Sequence, residues 1–577
     1  MKAYKKDLHL CEKYVNINID VCICEIILAQ NQLYERIRTV MDIKLKSAAA
    51  FYTPDGVVAD SPAKGNYATY REEFGSDTYR LYVDSDYKPA GVAIKVTLQP
   101  GVKDSVFMNG FQSATESREM NVAGKMSGMQ SVSDFVKDKY AAFSGGDYAF
   151  VPYKNKPGFM HGFSYCYFKH GNNIKLFASL DESNGYTVFR FDAWSSTLRV
   201  SKDVEGMDKF TDAPAISLFY AEGKEEDVFD RWFKCLEESE TVPAEKLIGY
   251  STAGLDVISE DVIYKKIGDM KRFPVKANFF LVDERYCMGG DWLKYDTRKF
   301  PIGFKGVVNE MHDSGLIAGI TMSPFTVDEK SKIAEAHSDW ILRSEDGRYV
   351  KIKKNLYVLD MLNPEVREYV RECLHTILFM WGFDLVKLNN LYAAAMIPRK
   401  GKNRGQLMYD AISFLRECCG GKLIFADNVP LMSAFGKVDY CSVTCDTVTD
   451  NLPVYIRSKR FRESPSVNNA TSDLVFRRQL SRRAFLNATC PFSLMEKEKF
   501  RDGNLNSAEQ NLFCSVAGLF SSVLYTTDDV TVYDQKQKRK FRKMCMLSEA
   551  SGVRVRKASG KHIVAYKLDD KNYFIKL

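Results

Sequence analysis

The sequence lacks the short motifs that mark disulfide, metal and nucleotide chemistry. Its 14 cysteines form no CxxC pair, and a chain of 577 residues can bury a core large enough to fold without disulfides. Its 7 histidines include no HExxH and no close pair, and no GxGxxG follows any strand-like run. We therefore expect reduced thiols, a cytoplasmic protein and no metal or other cofactor.

Long apolar runs and a basic face are missing as well. The stretch 21–29 is apolar but short, contains Glu25 and lacks a cleavage site of small residues, so the sequence predicts no signal peptide and no membrane span. The 81 basic and 74 acidic residues are spread along the chain and leave a net charge of +7, which we interpret as a small surplus.

Two dense basic runs, 457–462 and 536–543, each contain a single aromatic residue. A stacking platform for nucleic-acid bases requires several aromatic side chains. We interpret both runs as solvated surface and expect no nucleic-acid partner.

Three kinds of hydrophobic pattern follow one another along the chain. Up to about residue 215, short runs with apolar and polar residues in alternation are typical of a β-sandwich. From residue 246 apolar runs alternate with amphipathic helical stretches, as in a parallel sheet wrapped by helices, and after about residue 530 the simple alternation returns. We predict a multi-domain protein with an N-terminal β-sandwich and helical linker over 1–240, a (β/α)₈ TIM barrel over 241–530 and a small C-terminal β-unit over 531–577.

Eight apolar runs in the central segment are candidate barrel strands, which is the number that closes a single barrel. They are 247–251, 277–283, 316–323, 383–388, 422–426, 439–444, 484–486 and 521–525. Helical stretches separate several of them, and the stretch 364–381 follows Asn363, a residue suited to a helix N-cap. A doubly wound sheet is the weaker alternative because the chain has no dinucleotide-binding glycine motif.

Polar residues stand at the predicted carboxyl ends of these strands, where barrel enzymes carry their reacting groups. They are Asp283 and Glu284 after the second strand, Lys387 and Asn389 at the fourth, Asp427 after the fifth and Asp446 after the sixth. Each alone has the ordinary interpretation of a turn or capping residue. Four carboxylates at one end of one barrel favour a site, and glycoside hydrolysis requires two carboxyl groups, one to protonate the leaving oxygen and one to attack or to activate water.

A series of motifs runs in order through most of the chain. They are MNGFQS at 108–113, DWL at 291–293, KFP at 299–301, SPF at 323–325, SDW at 338–340, NPEV at 363–366, WGFDLVK at 381–387, VPLM at 429–432, GKVDY at 436–440 and RQLSRRAFLN at 478–487. The series resembles glycoside hydrolase family 36, the α-galactosidases or melibiases. This resemblance implies a β-supersandwich, a catalytic barrel, a short C-terminal β-domain and a retaining mechanism on terminal α-galactosides.

The resemblance also assigns roles to the residues at the strand ends. The acid/base aspartate of the family falls on Asp446, the lysine of its fourth-strand Lys-x-Asp motif falls on Lys387, and its nucleophile falls on Asn389. An amide cannot act as an anionic nucleophile, and loss of a covalent nucleophile commonly lowers the rate by several orders of magnitude. Asp384 is the nearest preceding aspartate, and it should lie at the opposite end of the strand.

Other site positions depart from the family pattern too. The paired aspartates that hold sugar hydroxyls fall on Asp283 and Glu284, the next two positions are Arg285 and Tyr286, and Asp427 replaces a cysteine. Tryptophans that the resemblance implies near the substrate are replaced by Ala114, Ala253, Thr321 and Asn451. Because aromatic side chains supply large contact area, these changes remove binding surface as well as chemistry. We interpret the five tryptophans present as packing residues: Trp194, Trp232, Trp292, Trp340 and Trp381.

The sequence thus predicts an α-galactosidase-like protein of carbohydrate metabolism that binds an α-galactoside-like ligand and hydrolyses it weakly or not at all. The alternative is an active α-glycosidase with altered chemistry or substrate, in which Asp427 supplies the missing carboxylate beside Asp446. A second alternative is a non-catalytic subunit of a homo-oligomer, since members of the family often assemble.

Overall fold

The computed structural model describes residues 44–52, 69–85, 88–89, 91–98, 100–101, 103–133, 135–136, 150–210, 212–236, 245–447, 461–495, 507–558 and 561–577. The stretch 21–29, Asn451 and most of the basic run 457–462 lie outside these residues. The described residues form a two-sheet sandwich, a closed barrel and a small C-terminal sheet. This arrangement confirms the predicted fold class.

The N-terminal sandwich consists of two antiparallel sheets around a shared apolar core. Its strands are β1 (Lys44–Tyr52), β2 (Thr69–Phe74), β3 (Thr78–Asp84), β4 (Gly91–Thr97), β5 (Ser105–Met108), β6 (Glu119–Asn121), β7 (Phe159–Phe163), β8 (Tyr165–His170), β9 (Asn173–Ser179), β10 (Thr187–Asp192), β11 (Thr197–Lys202) and β12 (Ile216–Lys224). One sheet has the order β1-β4-β11-β10-β7 and the other β2-β3-β12-β9-β8-β5-β6. Alternation selects the core residues: Tyr79, Leu81 and Val83 of β3 are buried, and the residues between them are not.

The central segment closes into a barrel of eight parallel strands. They are β13 (Leu247–Ser251), β14 (Phe279–Val282), β15 (Ile317–Met322), β19 (Leu385–Leu388), β20 (Leu423–Ala426), β21 (Tyr440–Ser442), β22 (Leu486–Ala488) and β23 (Val523–Thr526). Every predicted strand overlaps an observed one. The seventh was predicted two residues too early, because the chain is still turning at Arg482, which has a positive φ of 65°.

Large side chains fill the interior of this barrel. Leu281, Phe425 and Tyr525 are at most 2% exposed and belong to one cluster that draws residues from seven of the eight strands. The interior is therefore a packed core. Within the barrel, a ligand site is therefore expected at the carboxyl ends of the strands, which we call the mouth.

Most of the helices join successive strands of the barrel, while the first precedes the barrel and the last follows it. They are α1 (Glu225–Cys235), α2 (Glu260–Met270), α3 (Phe304–Asp313), α4 (Lys332–Ala336), α5 (Pro364–His375), α6 (Arg404–Cys419), α7 (Val467–Phe476), α8 (Ser507–Phe520) and α9 (Gln535–Met546). Asn363 caps α5, because its Oδ1 accepts the backbone N–H of Glu365 at 2.9 Å, as predicted. Across the described ranges, no helix has the length and apolar character needed to span a bilayer.

Two small antiparallel sheets complete the fold. Strands β16 (Thr326–Asp328), β17 (Lys351–Lys353) and β18 (Leu356–Val358) follow β15, and β24 (Ser551–Ala558), β25 (Lys561–Leu568) and β26 (Lys571–Lys576) form the C-terminal sheet. The C-terminal sheet contacts both larger parts, since His562 lies 3.0 Å from the carboxylate of Glu119 in β6 and 4.9 Å, ring to ring, from Phe476 in α7. The boundaries at residues 240 and 530 stay predictions.

Four of the five tryptophans have the packing role that the sequence predicted. Trp232, Trp292 and Trp340 are buried, and Trp381 stacks on Phe304 with ring centroids 4.7 Å apart. The prediction is wrong for Trp194, which is 76% exposed. It lies in the turn between β10 and β11, where its indole N–H donates to the carbonyl of Pro157 at 3.1 Å, so it remains outside the sandwich core.

Candidate active site

A buried arginine joins the sandwich to the barrel beside the mouth. Arg477, directly after α7, donates its five N–H groups to the carbonyl oxygens of Gln112, Ser113, Thr115 and Val443 and to Oδ1 of Asn109, at 2.6 to 3.2 Å. Asp473 lies 3.3 Å from the guanidinium and also accepts the backbone N–H of Ser117. These bonds hold the loop between β5 and β6 against the barrel.

The same loop places Ser113 next to Asp427, at the end of β20. Asp427 Oδ1 accepts hydrogen bonds from Ser113 Oγ (3.1 Å) and from the backbone N–H of Asn428 (2.8 Å). Asp427 Oδ2 forms an ion pair with Lys387 Nζ at 3.1 Å. Both oxygens of Asp427 are thus partnered, one by the N-terminal domain and the other by the neighbouring strand.

Lys387 is the central cation of the mouth. Its side chain is 13% exposed, and its Nζ lies 5.2 Å from the centre of the Phe425 ring. Burial by itself would lower the pKa of Lys387, but Tyr525 and the carboxylates of Asp427 and Asp446 raise that pKa above its ordinary value. The side chain therefore keeps its positive charge throughout the neutral range.

Asp446 follows β21 and faces the same cation. Its side chain is exposed to solvent, although protein atoms lie close to the carboxyl group. Burial raises the pKa of Asp446, the charge of Asp427 raises it further, and Lys387 opposes both effects. A carboxyl group that keeps its proton to higher pH suits a general acid.

Glu284 is a third carboxyl group that senses Lys387. It lies in the short helical turn after β14, and its Oε2 accepts a hydrogen bond from Ser323 Oγ at 2.6 Å. Asn390 Nδ2 donates to the same Ser323 Oγ at 3.2 Å. Burial raises the pKa of Glu284, the Ser323 hydrogen bond opposes this, and Asp283 adds to the rise.

Asn389 follows β19, two residues beyond Lys387. Its backbone N–H donates to the carbonyl of Met322 at 2.9 Å, so the main chain holds it at the strand end. Its side-chain oxygen is buried and has no hydrogen-bond partner within the described part of the chain. Leaving a buried polar group unpaired costs about 1–3 kcal/mol, and a ligand hydroxyl could remove that cost.

Asp283 is held by its own turn. Its Oδ1 accepts from the side-chain Nε of Arg285 at 2.6 Å and from the backbone N–H of Arg285 at 3.2 Å. The guanidinium of Arg285 also bonds to the carbonyl of Ala253. The charged side chain of Arg285 thus reaches Ala253, a position where the resemblance implied a tryptophan.

The structure brings together Glu284, Lys387, Asp427 and Asp446, while Asp283 is tied to Arg285. Asp384 lies at the amino end of β19, as predicted, where it contacts His312 (2.7 Å) and Lys422 (3.4 Å).

Sequence reasoning did not assign Ser113, Ser323, Asn390 and Asn428. Ser113 and Ser323 lie inside quoted motifs, and Asn390 and Asn428 stand two residues beyond a strand, which was the available signal. In the ranges that the structure describes, no three His, Cys, Asp or Glu side chains are placed to hold a metal ion.

The fold and the mouth together define a class of protein. It is a TIM barrel with several carboxyl groups around one lysine at its carboxyl end and a β-sandwich that reaches into the same site. Barrel enzymes carry their reacting groups at this end, and paired carboxyl groups are what glycoside hydrolysis requires. The comparisons with known proteins sharpen this class.

The Melibiase family model matches residues 270–411. Alpha-galactosidase 1 of Pediococcus pentosaceus is 31% identical over 117 residues, which are 19% of this chain and 16% of that protein. The alpha-galactosidase AgaA of Geobacillus stearothermophilus is 30% identical over 105 residues, 18% of this chain and 14% of that protein. The matched stretches therefore span less than a fifth of the length of these relatives.

Solved structures share the fold over most of the chain. TtGalA, an alpha-galactosidase from Thermus thermophilus solved with p-nitrophenyl alpha-D-galactopyranoside, superposes with a TM-score of 0.65 and 19% identity, covering 88% of this chain and 98% of that one. The GH36 alpha-galactosidase AgaA from Geobacillus stearothermophilus, solved with raffinose, gives a TM-score of 0.57 and 12% identity over 91% of this chain and 79% of that one. The family model and the relatives make the chain similar to melibiases and alpha-galactosidases, and the solved structures show that it shares their fold.

Proposed function

We propose that the mouth binds an α-galactoside-like carbohydrate and hydrolyses it weakly or not at all. The observation that carries this proposal is Asn389, an amide at the end of β19 where the family resemblance implies the nucleophile. A retaining glycosidase forms a covalent bond between a carboxylate and the sugar. A neutral amide oxygen has no charge to stabilise the developing oxocarbenium ion.

The groups around Asn389 are suited to holding sugar hydroxyls. Glu284 and Asp446 both have raised pKa values, so each can donate as well as accept a hydrogen bond when it is protonated. The unpaired oxygen of Asn389 accepts, and Lys387 donates. Neighbours with the same fold were solved with stachyose and with raffinose, which supports an oligosaccharide ligand for this mouth as well.

The first test is hydrolysis of p-nitrophenyl α-galactoside by the purified protein and by Asn389→Asp. We expect little or no turnover by the unaltered protein and a gain of at least about 100-fold in the variant, because the substitution restores a carboxylate. Asn390→Asp is the matched control, since it adds the same charge one residue further along, and it should give no gain. Adding Asp446→Asn to Asn389→Asp should remove the gained activity.

Turnover by the unaltered protein that Asp446→Asn abolishes would contradict the proposal of weak or absent hydrolysis. No turnover by any variant would limit the proposal to binding. Calorimetric titration with raffinose then tests whether the mouth binds a galactoside. No heat of binding with either the unaltered protein or Asn389→Asp would reject a galactoside pocket.

A second candidate function is an active α-glycosidase that uses Asp427 with Asp446. The observation that favours it is electrostatic: Lys387 pairs with Asp427 at 3.1 Å, while the pKa of Asp446 is raised by burial and by Asp427. One carboxylate stabilised by a cation beside one carboxyl group that retains its proton is the division of labour in glycoside hydrolysis. Here Asp427→Asn should abolish turnover, and activity retained by that variant would reject the candidate.

We also propose a reducing, cytoplasmic location, as the sequence predicted. The cysteines that the structure describes are free thiols, and most of them are buried. Burial raises the pKa of Cys490 to about 11 and that of Cys514 to about 12, which suppresses their thiolate forms and their oxidation. Assembly into a homo-oligomer stays a prediction, which light scattering of the purified protein would check.

A further inference from the structure

The positive charge of the chain is concentrated in its C-terminal unit. Residues 531–577 contain 13 lysines and arginines against 4 acidic residues, whereas the other 530 residues contain more acidic than basic ones. The interpretation of an evenly spread surplus is therefore wrong. Like charges packed into so short a segment repel one another, and a bound partner of the opposite sign relieves that repulsion.

The C-terminal sheet divides its residues between two faces. Val555, Val564 and Tyr566 are at most 8% exposed and point toward the rest of the protein, where the neighbouring Lys557 bonds to Ser105 and Asn121 at 2.9 Å. Residues at the alternate positions therefore point away from the protein. We call this other side the outer face.

The outer face is basic and carries one exposed aromatic ring. Strand register places Arg554, Ala565 and Phe574 in one row across the three strands and Arg556, Ile563 and Lys576 in the next. Phe574 is 67% exposed, and both arginines and Lys576 are exposed. Lys567 on the same face pairs with Asp570 of the hairpin turn at 2.9 Å, but the two arginines and Lys576 form no ion pair with any residue that the structure describes.

On this face of the middle strand, Ile563 lies in the row of Arg556 and Lys576, and only the small side chain of Ala565 lies between Arg554 and Phe574. Arg554 and Arg556 stand on one flanking strand, and Phe574 and Lys576 stand on the other. Outer strands of a three-stranded sheet are about 10 Å apart, since neighbouring strands are separated by about 4.8 Å. The space over Ala565, between Arg554 and Phe574, is therefore comparable in width to one sugar ring.

We propose that this outer face binds an acidic polysaccharide, with a sugar ring on Phe574 and its carboxylate or sulfate groups on Arg554 and Arg556. Arginine forms paired, parallel hydrogen bonds with such anions, and an aromatic ring offers the apolar contact that a pyranose face needs. A single ring does not provide the row of stacking positions that single-stranded nucleic acid requires. The choice of a carbohydrate among polyanions rests on the proposed function of the barrel, while the face itself is a second site outside the mouth.

The experiment is affinity electrophoresis of the full chain in gels that contain polygalacturonate, dextran sulfate or neutral dextran. We expect retardation by at least one of the two acidic polymers and none by dextran. Phe574→Ala and the double variant R554Q/R556Q should each weaken that retardation about tenfold or more. Because these side chains are exposed, melting temperatures should stay unchanged and show that the variants are folded.

The matched control is the double variant K536Q/R539Q on α9, which removes the same charge from an exposed basic patch that has no exposed aromatic. It should leave retardation within twofold. An equal loss in this control, retention by the Phe574 and arginine variants, or no retardation by either acidic polymer would overturn the proposal. Tighter binding to single-stranded DNA or to phosphatidylserine vesicles than to both polymers would also overturn it and would assign the face to that other class.

Two variants distinguish failure of the proposal for the outer face from failure of the proposed function of the mouth. Asp446→Asn should leave polymer retardation unchanged, and R554Q/R556Q should leave the α-galactosidase activity gained in Asn389→Asp unchanged.

Discussion

The junction between sandwich and barrel and the mouth of the barrel are both rich in charge, but they use it differently. At the junction, Arg477 is fully buried, and each of its five N–H groups has an oxygen partner. In the mouth, the side chains of Lys387 and Asp427 remain 13% and 20% exposed. Asn389 there keeps a buried oxygen with no partner among the described residues.

The charged groups at the junction stabilise the fold, whereas those in the mouth remain available to a ligand. A buried guanidinium whose N–H groups are all partnered offers nothing to a ligand, and removing it leaves its partners unpaired in a medium of low dielectric constant. An unsaturated group weakens the fold slightly and gains when a ligand arrives. Three substitutions test whether the two regions differ in this way.

Replacing Arg477 should have the largest effect. Arg477→Met leaves Asp473 without its counter-ion and removes five hydrogen bonds, so we expect the free energy of unfolding to fall by about 3–5 kcal/mol. The measurement is urea denaturation followed by tryptophan fluorescence. Arg483→Met is the control, because Arg483 pairs with exposed Glu226 and Asp230, and such pairs contribute about 1 kcal/mol or less. Equal losses in the two variants would remove the distinction.

Acid should weaken a second buried junction, where Glu119 joins β6 to the C-terminal sheet. Glu119 accepts hydrogen bonds from Tyr167 (2.9 Å) and Lys169 (3.1 Å) and contacts His562 (3.0 Å). Burial opposes its charge, but His562 and Lys169 prevail and lower its pKa to about 2. The stabilisation is therefore complete above the ordinary pKa near 4.5 and is lost as pH falls through about 2.

We expect this linkage to contribute about 3 kcal/mol, at about 1.4 kcal/mol per unit of pKa. Urea midpoints measured between pH 5 and pH 2 should fall steeply for the unaltered protein and less steeply for Glu119→Gln, which cannot titrate. Parallel pH profiles for the two proteins would show that the acid-sensitive group lies elsewhere.

The smallest effect, and the only gain, should come from the mouth. Asn389→Leu removes an unpaired buried oxygen while keeping the side-chain shape, so we expect stability to rise by about 1 kcal/mol while raffinose binding is lost. Asn469→Leu is the counterpart in a satisfied site, where Nδ2 donates to the carbonyls of Phe461 and Ser464, and it should destabilise. If Asn389→Leu also destabilises the protein, the oxygen of Asn389 has a structural partner and the comparison fails.

Most of the barrel was predicted from local hydrophobic patterns in the sequence. The run 247–251 coincides with β13 because five apolar or small residues between helical stretches leave little choice of register. Site residues that stand just past a strand, such as Asp427 and Asp446, could be placed in one mouth for the same reason. Their chemical roles stay predictions, as does the role of Asn389.

What sequence reasoning missed depends on distance along the chain. The partners of Arg477 at residues 109–115 are more than 360 positions away, and four of its five acceptors are backbone carbonyls, which any residue type provides. Ser113 and Asp427 are 314 positions apart. No periodicity or motif encodes such a contact, and only the folded chain shows it.

The hydrogen bond from Ser113 to Asp427 bears on how proteins of this build can evolve. A loop of the sandwich contributes Ser113 to the mouth of the barrel. A gene fusion or domain exchange that replaces the sandwich would therefore also alter the mouth. A barrel transplanted alone would arrive with Asp427 short of one hydrogen-bond donor. The two parts are therefore expected to be inherited together, as a single unit of recombination.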